Sequence, residues 1–172
     1  MKTVFISGVC GVGKSTLMPY LRELLPTSFV VVDFDSRGVP DGADHAWRKN
    51  EAAHWIAEGA TYRESGQQLV VCGFVKPGDF ESSQLRELEI IVLDADADTI
   101  RERLVGRYTK DGIFDEAQTV IGKPVMEFID GNVWYAKKMR EESAEEGLSI
   151  VDTSNKAPEE VAREVARIIT NS

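Results

Sequence analysis

The sequence predicts one α/β domain, a five-stranded parallel sheet with helices on both faces. Three observations predict it. Five short apolar, β-rich runs recur along the 172 residues, and stretches of helical spacing lie between them. The first run also opens directly into a glycine-rich turn and then a helix. Strands that alternate with helices need right-handed crossovers, and so a parallel sheet covered on both sides.

The first strand is Thr3-Val4-Phe5-Ile6-Ser7, β-branched and apolar as a buried strand should be. A helix at about 14–25 follows, with Leu17, Leu21, Leu24 and Leu25 at helical spacing. Pro19 inside it removes the N–H that would bond the Ser15 carbonyl, so a kink or irregular turn is expected there. Phe29–Asp33 forms the second strand, and a long helix spans about 44–65. Trp47 and Trp55 are eight apart in it and fall roughly on one side. Leu69–Gly73 and Glu89–Asp94 are the third and fourth strands. Helices are expected at about 97–107, where Ile100 and Leu104 make a buried stripe, and at about 131–146. Leu148–Asp152 is the fifth strand. The last helix, 158–170, sets Val161, Val165, Ile168 and Ile169 on one apolar face. Pro158 suits its first turn, and Glu159 and Glu160 complement its dipole.

The bulk properties restrict the function classes. Apolar content of 42% and charged content of 28% are those of an ordinary globular protein. A net charge of −9 argues against a nucleic-acid surface, which should be basic. No apolar stretch approaches the ~20 residues needed to span a membrane. The glycine-rich turn also interrupts the N-terminal run too soon for a signal peptide. The two cysteines, Cys10 and Cys72, read as reduced thiols of a cytoplasmic protein. Cys10 reads as a small loop filler rather than a redox sensor.

The turn Gly8-Val9-Cys10-Gly11-Val12-Gly13-Lys14-Ser15 has the spacing G-x-x-x-x-G-K-[ST] between a strand and a helix, the context in which it binds phosphate. Gly8, Gly11 and Gly13 leave room for phosphate oxygens at the main chain. Successive amides then form an anion nest at a helix N-terminus, with Val12 and Thr16 in the same cradle. Lys14 would reach the β- and γ-phosphates, and the Ser15 hydroxyl would ligate Mg²⁺. ATP with Mg²⁺ is the expected donor.

Ligands in such sheets bind at the carboxyl ends of the strands. The second strand ends Asp33-Phe34-Asp35-Ser36-Arg37, and alternation puts both carboxylates on one side of an extended segment. One would serve Mg²⁺ or its water and the other would accept a proton from an attacking hydroxyl. The third strand ends Cys72-Gly73-Phe74-Val75-Lys76 without a carboxylate, which shifts the magnesium role towards Asp33. Gly73 is either a place where substrate meets the backbone or a simple turn glycine. Arg37, Trp47 and Arg48 are further candidates on the acceptor side, Trp47 as a stacking platform or as core. Arg103 and Arg107 share a helix face and could clamp transferring phosphates or stack on a base. Residues 108–125, polar and weakly periodic, suit a lid.

On Gly8–Ser15, Asp33-Phe34-Asp35-Ser36, Arg103-Leu104-Val105-Gly106-Arg107 and Val151-Asp152-Thr153-Ser154, the chain resembles the P-loop small-molecule kinases. These include nucleoside monophosphate kinases, shikimate and gluconate kinases and chloramphenicol phosphotransferase. The resemblance implies a three-layer P-loop NTPase fold, similar to the nucleoside monophosphate kinases, in a single domain over 1–172. It implies a short lid at about 108–125 and a substrate-side helical segment at about 36–66. It makes Asp33 the magnesium-side residue, Asp35 the acceptor-orienting base and Arg107 the arginine that opens the lid. Thr153-Ser154-Asn155-Lys156-Ala157-Pro158 becomes the loop that passes the adenine, with Asn155 on the cofactor. The segment Cys72-Gly73-Phe74-Val75-Lys76 departs from the Asp-Gly-Phe-Pro-Arg-like run of adenylate kinases, and neither a shikimate nor a gluconate signature occurs.

The expected activity is therefore transfer of the ATP γ-phosphoryl group to a hydroxyl of a small molecule. A nucleoside monophosphate acceptor is the alternative. A regulatory GTPase fits poorly, because Asn155-Lys156-Ala157-Pro158 has proline where guanine selection wants aspartate, and no Asp-x-x-Gly follows the third strand. Asp35 argues against a nucleotide-binding switch without catalysis.

Overall fold

The computed structural model describes residues 2–109, 118 and 121–171. Strands β1 (Thr3–Ser7), β2 (Phe29–Asp33), β3 (Gln68–Cys72), β4 (Leu88–Asp94) and β5 (Ser149–Asp152) form one sheet. Helices α1 (Lys14–Leu24), α2 (His45–Glu64), α3 (Ala97–Thr109), α4 (Val125–Glu145) and α5 (Pro158–Thr170) cover it. The strand order is β2-β3-β1-β4-β5, and every pairing is parallel. All five residues of β1 are buried, as a strand covered on both faces requires.

The core runs through the sheet and the inner faces of the helices. Leu17, Met18 and Leu21 anchor α1, while Ile100 and Leu104 anchor α3. Val161, Val165 and Ile169 anchor α5. Helix α2 approaches β1 closely because Gly59 has no side chain: a Cβ there would stand 2.0 Å from Thr3 Oγ1. Pro158 occupies the first turn of α5, and Glu160 Oε2 accepts the Ala157 N–H at 2.8 Å.

Helix α1 runs through Pro19 as one helix. One element differs from expectation: helix α4 begins at Val125 instead of near 131, after Pro124. Val125 and Ile129, one turn apart, are fully buried and hold the first turns on the core. The stretch read as a lid lies mostly outside the described residues.

Candidate active site

The phosphate loop hangs from the carboxyl end of β1. Gly13 sits in the left-handed region at φ 99 and starts α1, which only glycine does without strain. Gly8, at φ 147, passes so close to β4 that a Cβ would stand 2.5 Å from the Leu93 carbonyl oxygen. Ser7 pins the base of the loop, its Oγ accepting the Val75 N–H at 2.9 Å and donating to the Val75 carbonyl.

Lys14 curls back over the loop, and its Nζ donates to the Gly8 and Val9 carbonyls at 2.6 and 2.9 Å. Desolvation pushes its pKa below the ordinary lysine value. Asp35 opposes that shift and Arg107 adds to it, so the three charges act on one another.

Asp33 and Asp35 are not on one side of an extended segment. The chain turns at the end of β2 into a short 3₁₀ helix, Phe34–Arg37, because Asp33 Oδ1 accepts the Asp35 N–H at 2.8 Å. Aspartate forms such local turns readily, and here the turn overrides strand alternation. The carboxylates still interact. Asp35 is raised above the usual carboxylate range, first by desolvation and then by the Asp33 charge, with Lys14 and Arg48 pulling the other way.

Around this turn α2 supplies the packing. Trp55 Nε1 donates to the Phe34 carbonyl at 3.1 Å, and Trp47 meets the Phe34 ring edge-on at 6.1 Å. Both tryptophans thus share the face that holds the Asp35 turn. Arg37 pairs with the buried Glu51 at 3.0 Å. Arg48 lies 5.0 Å over the Phe74 ring. Gly73 has a packing reason: a Cβ there would stand 2.1 Å from Phe34 Cβ. Burial pushes the Cys72 thiol up to about 12, and both cysteines are free.

On the other side of the loop lies a cavity of about 540 Å³, bounded by Gly11, Gly13, Thr16, Arg103, Arg107 and Lys156. Val12, Thr153, Pro158 and Val161 add apolar wall. Arg103 braces it, donating to the Gly11 carbonyl at 3.2 Å and to Thr153 Oγ1 and O at 3.0 and 2.8 Å. Thr153 Oγ1 in turn donates to the Val12 carbonyl at 3.0 Å. Asn155, exposed in a left-handed conformation at φ 53, is not on this wall, whereas its neighbour Lys156 is. Lys156, held by Glu164 at 2.8 Å, was not singled out in the sequence and carried no signal of its own.

Sequence reasoning also missed Asn132 of α4. Its Oδ1 accepts the Cys10 N–H of the phosphate loop at 3.1 Å, and its Nδ2 donates to the Phe128 carbonyl at 2.9 Å.

Ser15, exposed at the start of α1, and Asp33 are the residues suited to a magnesium ion. Among the described residues no group of three or more His, Cys, Asp or Glu side chains is arranged to hold a metal. Among the described residues no helix is long and apolar enough to cross a membrane.

The geometry agrees with comparisons to known proteins. Shikimate kinase from Acinetobacter baumannii superposes with a TM-score of 0.61 at 13% identity, over 99% of this chain and 94% of that one. A sugar kinase from Janibacter sp. gives 0.59 at 17% identity, over 99% and 95%. The tunicamycin resistance protein of Deinococcus radiodurans gives 0.58 at 17%, over 98% and 96%. At such identities the likeness establishes the P-loop kinase fold. No curated protein matches the chain in sequence. The family model described as AAA domain matches residues 4–121, from β1 past the phosphate loop and Arg107, and the chain belongs to that family.

Proposed function

We propose that the protein is a Mg²⁺- and ATP-dependent phosphotransferase that moves the γ-phosphoryl group to a hydroxyl of a small molecule. One observation carries the reading: a glycine loop in the conformation that cradles phosphate, with Lys14 folded over its carbonyls, borders a cavity of about 540 Å³ walled by Arg103, Arg107 and Lys156. Asp35 is near enough to Lys14 for their charges to act on each other.

The loop amides and Lys14 bind the β- and γ-phosphates, and the base and ribose occupy the cavity beside Arg103 and Lys156. Asp35 orients the acceptor hydroxyl and takes its proton. The acceptor oxygen bonds to the γ-phosphorus as the bond to the bridging oxygen breaks, and ADP leaves. Lys14 and Arg107 neutralise the negative charge that develops. Ser15 and Asp33 would hold Mg²⁺, which supplies further charge neutralisation at the phosphates. The whole chain acts as one domain, with residues 36–66 on the acceptor side.

The test is an acceptor screen over nucleosides, nucleotides, sugar acids and antibiotics, read by ADP release. With any acceptor found, Asp35→Asn should lower turnover by about 10²–10⁴ while ATP still binds. Near-normal turnover in Asp35→Asn would remove Asp35 as the base.

A further inference from the structure

A wall of stacked side chains lies beside Asp35, and phosphate binding does not use it. The parallel register pairs Asp33 with Cys72. Past the strand ends Phe34 packs on Gly73, and Arg48 links the residues that follow each, its guanidinium over the Phe74 ring and its charge acting on Asp35. Phe74 is only half-buried, with the Arg48 guanidinium 5.0 Å over its ring. Tyr135 of α4 stands 5.7 Å from Phe74, tilted by 58°. Three separate elements thus bring π surfaces to one strip that starts at the acceptor carboxylate.

Of the polar groups on this side, Arg37 is held by Glu51, and Arg48 lies over an aromatic face. A sugar acid or polyol needs several side chains free to hydrogen-bond its hydroxyls or carboxylate. An aromatic ring needs flat, polarisable surface, which Arg48, Phe74 and Tyr135 offer.

We propose that this strip is the acceptor-specificity surface, and that it selects a hydroxyl-bearing molecule with an aromatic ring over polyols and sugar acids. The inference rests on the phosphotransferase reading for the role of Asp35. Its binding part is tested independently of transfer.

The experiment pairs saturation-transfer NMR with ADP release, using phenylethanol and thymidine against glucitol and gluconate. The aromatic probes should bind, with the strongest transfer to ring protons, and their kcat/KM should exceed that of the polyols about tenfold. Tyr135→Leu should weaken aromatic binding about three- to tenfold, Tyr135→Phe should restore it, and Mg·ATP affinity should not change. Phe74→Leu gives the same loss by a second route should Tyr135→Leu fold poorly. Aromatic binding with no transfer to these probes or to any acceptor of the wider screen keeps the strip as a ring-binding surface and removes the phosphotransferase reading. Transfer only to glucitol or gluconate keeps that reading and overturns the inference, as does aromatic binding that neither substitution affects.

Discussion

At the scale of single residues, the chemistry depends on two opposed shifts. Burial lowers the pKa of Lys14, and burial with the Asp33 charge raises that of Asp35. A base must be ionised, so activity should fall on the acid side at a pH above the ordinary aspartate value of 3.8. Lys14 must be charged, so activity should fall on the alkaline side below the ordinary lysine value of 10.5. The kcat profile should be a bell, and Asp35→Asn should abolish its acid limb; an unchanged acid limb would assign it to another group. The stability consequence has a definite sign. A carboxyl whose folded pKa is raised binds more protons folded than unfolded, so its ionisation destabilises the fold as pH rises. Asp35→Asn should therefore melt higher than wild type at neutral pH, with the gain vanishing below the unfolded pKa.

At the scale of elements, what was legible in the sequence was what consecutive residues encode. The phosphate loop takes its glycines, lysine and serine from one run of eight, and the strands announced themselves as β-branched apolar runs. Contacts that join distant segments left no local pattern. Arg103 reaches Thr153 across 50 residues, and Asn132 reaches Cys10 across 122. The Asp33 cap escaped too, because alternation describes a strand and says nothing of how it ends. Arg103 is therefore better understood as a brace between α3, the phosphate loop and the loop after β5. Losing charged hydrogen bonds of this kind costs about 1.5–3 kcal/mol each at most, less where water replaces them. Arg103→Ala should lower the urea midpoint and raise KM for ATP more than it lowers kcat. A selective loss of kcat with unchanged stability would instead make Arg103 a transition-state contact.

At the scale of the molecule, a chain of net charge −9 must bind a polyanion, so its positive groups have to be concentrated where the phosphates go. Lys14 and Arg107 act on each other at the loop, and Arg103 and Lys156 face the same cavity. The nucleotide would touch the loop after β1, α1, α3 and the loop before α5 together, so binding should tighten the carboxyl edge of the sheet where these meet. Linkage sets the size of the effect. A ligand at one hundred times its Kd adds about 2.7 kcal/mol to the folded state. For a domain of this length that is a rise in Tm of roughly 5–10 °C. Mg·ATP should produce such a shift in wild type and in Asp35→Asn, because Asp35 is not on the wall of the cavity beside the loop. Lys14→Ala should lose most of it. Calorimetry on the three proteins, each with and without Mg·ATP, decides the matter: an equal shift in Lys14→Ala would place the nucleotide elsewhere than on the loop.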